Sequence, residues 1–138
     1  MEKIINKRIQ WTLENKNLVN NFQSGFLKGK STIDNITYLV DNIQKGFASQ
    51  EQTTAVFIDL KNAYDRVWTH KVKEHMERLG FKGKIVNYIN SFLQNRTFNI
   101  QIGNIESDTG YMDNGIPQGS VLSCTLFNIV FDDVLNNI

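Results

Sequence analysis

Thr53-Thr54-Ala55-Val56-Phe57-Ile58-Asp59-Leu60 is the stretch on which the fold turns. Residues 53–58 are β-branched, aromatic or small without a polar interruption from Ala55 on. That pattern predicts a strand buried on both faces, ended abruptly by the carboxylate of Asp59. Upstream, beyond a polar linker at 49–52, Ile33, Ile36, Val40, Ile43 and Phe47 recur at helical spacing, and Ser31 with Asp34 three residues on signals a capping box. Further back lie the Gly-punctuated loop Gln23-Ser24-Gly25-Phe26-Leu27-Lys28-Gly29-Lys30 and an amphipathic helix carried by Ile4, Ile5, Ile9 and Leu13. Downstream, helical patterns cover 69–79, stopped by Gly80, and 84–93. Phe98, Ile100 and Ile102 alternate with polar residues, and Gly103-Asn104 supplies a turn that brings the chain back toward Met112. After the rigid loop Gly115-Ile116-Pro117-Gln118-Gly119, Leu122, Leu126, Ile129 and Val130 predict a helix to the end. Helices and strands mix without βαβ alternation, so the fold class is α+β.

The chain has 138 residues, enough for one domain with a proper core. Its net charge of +1 does not advertise a nucleic-acid binder. The distribution is more informative: after Arg96 there is no further Lys or Arg, whereas Glu106, Asp108, Asp113, Asp132 and Asp133 all follow it. Phosphates on a basic wall and metal at an acidic pole would fit that polarity, and so would scattered solvated charges. A single cysteine, Cys124, excludes an internal disulfide and a cysteine-cluster metal site. No signal-peptide layout and no apolar run of membrane-spanning length is present, so an intracellular protein is expected.

Asp59 is the sharpest chemical feature, because two-metal phosphoryl transfer needs hard carboxylate oxygens held in fixed positions. On the residue alone, a turn or N-cap role is the commoner assignment. Tyr64 could flank a nucleotide sugar and read its 2′-hydroxyl, or simply pack in the core. Asp65 could cap the next helix or make a salt bridge with Arg66 or another neighbour. Lys28 and Lys30 sit in a loop entering a capped helix, where phosphate binds readily, although the P-loop spacing is absent. Gln118 is constrained between Pro117 and Gly119 and could present its amide to a ligand. His70 and His75 are five apart, which is not a helical zinc pair, and read as surface or packing residues.

Gln23-Ser24-Gly25-Phe26, Lys28-Gly29-Lys30-Ser31-Thr32 with Asp34, Phe57-Ile58-Asp59-Leu60 with Ala63-Tyr64-Asp65, and Gly115-Ile116-Pro117-Gln118-Gly119-Ser120-Val121-Leu122-Ser123 with Leu126-Phe127-Asn128 together resemble the reverse transcriptases of non-LTR (LINE-type) retrotransposons. The resemblance runs in order from about Glu2 to the end. It implies an incomplete fingers-and-palm portion of a right-hand polymerase over residues 1–138, with mixed helices and a small antiparallel palm sheet. It implies RNA-directed DNA synthesis from an RNA template, a DNA primer and dNTPs. Asp59 looks like the first metal-binding, catalytic aspartate, one ligand of a two-Mg²⁺ site only partly encoded here. Tyr64 matches the sugar gate, and Leu60, Pro117, Gln118, Gly119, Lys28 and Lys30 fall at nucleotide-binding positions. The family also implies a monomer acting in the nucleus, without a membrane.

Departures from the family pattern qualify these expectations. Leu27 stands where many relatives have arginine, and Cys124 where proline is usual. The second metal-binding motif, an aromatic residue, Ala and two aspartates in a hairpin, is absent, as is the thumb. Phe131-Asp132-Asp133 is not that motif, because it continues a helical pattern. The isolated chain is therefore expected to lack polymerase activity, and a non-catalytic nucleic-acid-binding remnant or a decaying relic of a mobile element are the alternatives. Arg96 stands at a family arginine whose role the sequence does not reveal.

Overall fold

The computed structural model describes residues 1–135. Its elements are helices α1 (Glu2–Asn15), α2 (Thr32–Ala48), α3 (Thr69–Arg78) and α4 (Lys84–Leu93), strands β1 (Arg96–Phe98), β2 (Gln101–Ile102), β3 (Ile105–Glu106) and β4 (Gly110–Met112), and helix α5 (Ser123–Leu135). α5 is the hub, with α3 packed along it, α1 crossing it and α4 reached through α3. Ile9 and Leu13 of α1, Val72 and Met76 of α3, Val86, Ile89 and Leu93 of α4, and Leu126 and Ile129 of α5 form one buried core. Each set recurs at three- and four-residue spacing, so each helix turns one stripe inward.

Local chemistry sets the helix ends. α3 stops where Gly80 takes φ +86°, and the following Phe81 N–H donates back to the Met76 carbonyl at 3.0 Å. Only a residue without a Cβ adopts that left-handed turn at little cost. At the start of α2, the Ser31 N–H and hydroxyl both donate to the Asp34 carboxylate, at 2.6 and 3.0 Å. The strands form two antiparallel ladders: β1 pairs with β4, Thr97 opposite Tyr111, and β2 with β3 across the Gly103-Asn104 turn. Mixed helices with small antiparallel sheets are thus the observed architecture, as the sequence implied. Phe131-Asp132-Asp133 lies within α5, also as expected, where Asp132 accepts the Asn20 N–H at 2.5 Å and Asp133 accepts from Arg78. The expected helical continuation over the last three residues falls outside the described ones.

Residues 53–58 depart from expectation. They form no strand and are exposed throughout, Val56 at 80%, Phe57 at 84% and Ile58 at 76%. A strand exists only by virtue of its ladder neighbours, and none of the described residues pairs with this segment. Its apolar run records an affinity for burial but cannot supply the neighbour. α2 behaves likewise: the helix forms, yet Ile33, Ile36, Val40 and Phe47 on its apolar side face solvent. α2 is held to the 21–24 loop by Phe22, edge-on to Tyr38 at 5.9 Å, and by the Ser24 hydroxyl donating to Asn35 at 2.8 Å. At its C-terminal end Gly46 is buried against the Thr53 side chain and leaves no room for a Cβ.

Candidate active site

Asp59 emerges exposed from the unpaired segment, not from the rim of a buried strand as expected. It lines an open groove of about 510 Å³. The groove's floor is apolar, from Phe127, Val130, Phe131 and Val134 of α5, and its walls carry Leu60, Trp68 and the cations Lys61, Arg66 and Lys71. Among the described residues, Asp59 is the one carboxylate lining it. Such a groove can take a phosphate group against its cations and a flat ring against its floor.

The chain then folds tightly over 61–66, closed by the Arg66 N–H donating to the Asn62 carbonyl at 3.1 Å. This turn lays the Tyr64 ring on Phe127, centroids 5.1 Å apart and planes 24° apart, and Phe127 stacks in turn on Phe131 at 5.5 Å. The Tyr64 hydroxyl donates to the Cys124 sulfur at 3.6 Å. Burial first, then the hydrogen bond and charge of Cys124, push the phenol up from its ordinary 10.0 to about 12. The fold therefore holds that proton more tightly than the open chain does. Neutral Tyr64 contributes its stability in full below pH 10, and the contribution is lost as pH rises from 10 toward 12. Urea midpoints followed through that window should fall for the parent chain and fall less for Tyr64→Phe. Equal slopes would remove the assignment.

Residues 64–67 and the 115–119 loop are sewn together. The Ile116 N–H donates to the Tyr64 carbonyl at 2.9 Å and the Gly115 N–H to the Val67 carbonyl at 2.7 Å. Gly115 has φ +86°, and a Cβ there would lie 3.0 Å from both Cα and O of Asp65. Gln118, exposed, donates its side-chain amide to Asp65 at 3.2 Å, so Asp65 finds its described partner in the 115–119 loop. The Pro117 carbonyl accepts the Ser123 hydroxyl at 2.5 Å, anchoring the loop to the start of α5. Gly119, at φ +89°, faces open space. Arg96 acquires its role here: its guanidinium donates to the carbonyls of Leu93, Asn114 and Gly115 at 3.2, 2.8 and 2.6 Å, tying α4, β1 and the loop into one unit.

Of the residues singled out in the sequence, Asp59 and Leu60 share the groove, and Tyr64, Pro117, Gln118 and Gly119 are joined to the turn that follows it. Lys28 and Lys30 are not brought there. They line a second, smaller groove of about 160 Å³ between α1, the 16–30 loop and α5, with Glu14, Phe26 and Asn128. Lys30 is further engaged in holding its loop, donating to the Asn21 carbonyl at 2.5 Å. His70 stacks on Trp68 at 5.6 Å and His75 is buried under α5, in keeping with packing roles. Asp65 and Arg96 as loop-holding residues, and Lys61, Arg66 and Lys71 as groove cations, were not legible beforehand. The one available signal was the run of cations that follows Asp59.

The reverse transcriptase (RNA-dependent DNA polymerase) family model matches residues 1–138. The chain is 31% identical over 133 residues to the probable RNA-directed DNA polymerase from transposon BS of Drosophila melanogaster, covering 96% of this chain and 15% of that protein. It is 28% identical over 134 residues to the RNA-directed DNA polymerase from mobile element jockey of the same fly, covering 97% and 14%. A retrovirus-related Pol polyprotein from type-1 retrotransposable element R2 of Popillia japonica matches at 28% over 107 residues, covering 78% and 18%. The chain thus spans about a seventh of the length of the first two relatives. Divalent metal ions serve this family generally. Among the described residues, however, no three His, Cys, Asp or Glu side chains cluster to hold one, and a lone exposed carboxylate does not make a two-ion site. Matched along its whole length, the chain belongs to the reverse transcriptase (RNA-dependent DNA polymerase) family.

Proposed function

We propose that this chain contributes the dNTP-facing part of an RNA-directed DNA polymerase from a retrotransposon, extending a DNA primer on an RNA template. The observation that carries the reading is the hydrogen-bonded seam between residues 64–67 and 115–119. It assembles two motifs that lie some fifty residues apart into one surface beside Asp59. Tyr64 is proposed to rest against the sugar, its ring steadied by Phe127, and the Gln118–Asp65 pair to fix the loop that meets the base. Lys61 and Arg66 suit the triphosphate. Asp59 is proposed as one ligand for Mg²⁺, a hard cation that prefers carboxylate and phosphate oxygens, in a site the described residues do not complete. Lys28 and Lys30 are assigned to nucleotide or template phosphates reached from the second groove.

The polymerase is proposed to act as a monomer in the nucleus; support for both comes from the family resemblance. No described helix is long and apolar enough to cross a membrane.

Primer extension tests the proposal. The longest in-frame polypeptide containing residues 1–138 should incorporate dNTPs on a primed RNA template and lose at least about a hundredfold in rate on Asp59→Ala. Residues 1–138 alone should incorporate none above background. An active long polypeptide indifferent to Asp59→Ala would sink the assignment of the groove.

A further inference from the structure

Helix α1 sorts its side chains by face. Ile9 and Leu13 are buried, and Gln10 donates to the Thr125 hydroxyl of α5 at 3.3 Å. The opposite face carries Lys3, Lys7 and Arg8 together with Ile4 and Trp11, all exposed, Trp11 at 66%. Residues 3, 7 and 11 are spaced by four and residues 8 and 11 by three, so the cations stand beside the indole on adjoining turns.

What sets the α1 face apart is the grouping of three cations beside one exposed indole. Lys45 on α2 and Lys71 and Lys73 on α3 sit next to carboxylates on their own helix: Lys45 by Asp41 at 2.6 Å, Lys71 by Glu74 at 2.7 Å, Lys73 by Glu77 at 3.9 Å. Among the described residues, Lys3, Lys7 and Arg8 have no such partner. Of the two acids on α1, Glu2 is engaged elsewhere, accepting the Ser120 hydroxyl at 2.7 Å, and Glu14 stands one turn beyond Trp11 at the edge of the second groove. Three cations outside any described ion pair and a large exposed indole therefore share about two turns of helix.

We propose that the solvent face of α1 is a contact surface for single-stranded RNA, with Lys3, Lys7 and Arg8 on phosphates and Trp11 stacked on an unpaired base. Uncompensated cations bind a polyanion by releasing its counterions, and an aromatic ring among them takes any base on its face. An anionic membrane also attracts basic helices, but it needs a broad apolar face to sink into. On α1 that face is already spent on the core, leaving Ile4 and Trp11 alone outside. The contact is separate from the Asp59 groove and does not depend on how that groove is assigned.

Fluorescence anisotropy of a fluorescein-labelled oligouridine, titrated with the 138-residue chain over a range of KCl, tests the proposal. The variant combining Lys3→Gln, Lys7→Gln and Arg8→Gln should bind more than about tenfold more weakly at low salt. Its plot of log affinity against log salt should be flatter by about 2, three phosphate contacts being lost. Trp11→Ala should weaken binding by about tenfold with the slope kept, and Trp11→Phe should restore most of it. All four side chains are exposed, so thermal transitions should be unchanged, and Asp59→Ala should leave binding intact. Parent-like binding by either the triple variant or Trp11→Ala overturns the proposal. So does a parent chain that binds no RNA even at low salt. Loss of binding to phosphatidylserine vesicles in the triple variant, with RNA binding unaffected, would assign the face to a membrane instead. Weakening by Asp59→Ala alone would move the RNA into the groove, overturning this contact while leaving the polymerase reading standing.

Discussion

Gly115→Ala should lower the stability of the chain by about 3 kcal/mol, with a left-handed φ and a steric collision acting together. The φ of +86° already disfavours any side chain. The new methyl would meet Asp65 backbone atoms at 3.0 Å and the Tyr64 carbonyl at 3.2 Å, and backbone cannot swing aside as a flexible side chain can. Relief requires opening the seam, which breaks the Gly115–Val67 and Ile116–Tyr64 bonds and weakens the hold of Arg96 on the Gly115 carbonyl. Urea denaturation followed by circular dichroism measures the loss. A midpoint shift worth less than about 1 kcal/mol would mean the seam is not structural.

Leu126→Ala is expected to cost about 3–4 kcal/mol, the range for emptying a fully enclosed leucine site. Leu126 is wholly buried, in the core that α5 shares with α1 and α3, so no neighbour can collapse into the space without giving up its own contacts. Phe57→Ala is the instructive control. Phenylalanine is larger, yet at 84% exposure its removal should change stability by no more than about 0.5 kcal/mol. Comparable losses at both positions would show that residues 53–58 are buried in solution, and the description of that segment would have to be withdrawn.

What could be read in advance was what neighbours in sequence decide. α3 and α4, the stop at Gly80, the capping pair Ser31–Asp34 and the Gly103-Asn104 turn are settled within a few residues, and spacing reveals them. The burial of residues 53–58 was misread because burial depends on a partner strand, which composition cannot supply. The stripe on α2 was recognised correctly and still says nothing about what covers it. At the site, the motifs carrying Asp59, Tyr64 and Gln118 were visible, but not their connections. Arg96 reaches carbonyls 18 and 19 residues further on, and carbonyls have no sequence signature. Lys28 and Lys30 were grouped with Asp59 by motif, while the packing of α1 on α5 placed them along another groove.

The links between the two ends of the chain have a temporal meaning. Glu2 meets Ser120 across 118 positions, Gln10 meets Thr125 across 115, and Gly25 meets Asn128 across 103. Helix α1 therefore leaves the ribosome with its apolar stripe bare and its partner not yet made. At about 5–20 residues per second, roughly 5–20 seconds pass before α5 follows. During that interval α3 and α4, neighbours in sequence, can pair first and await α5, and α1 docks last, after the longest loop closure among the described residues. Nascent chains carrying this segment should thus be most vulnerable to proteases and to aggregation at α1, even though that helix belongs to the finished core.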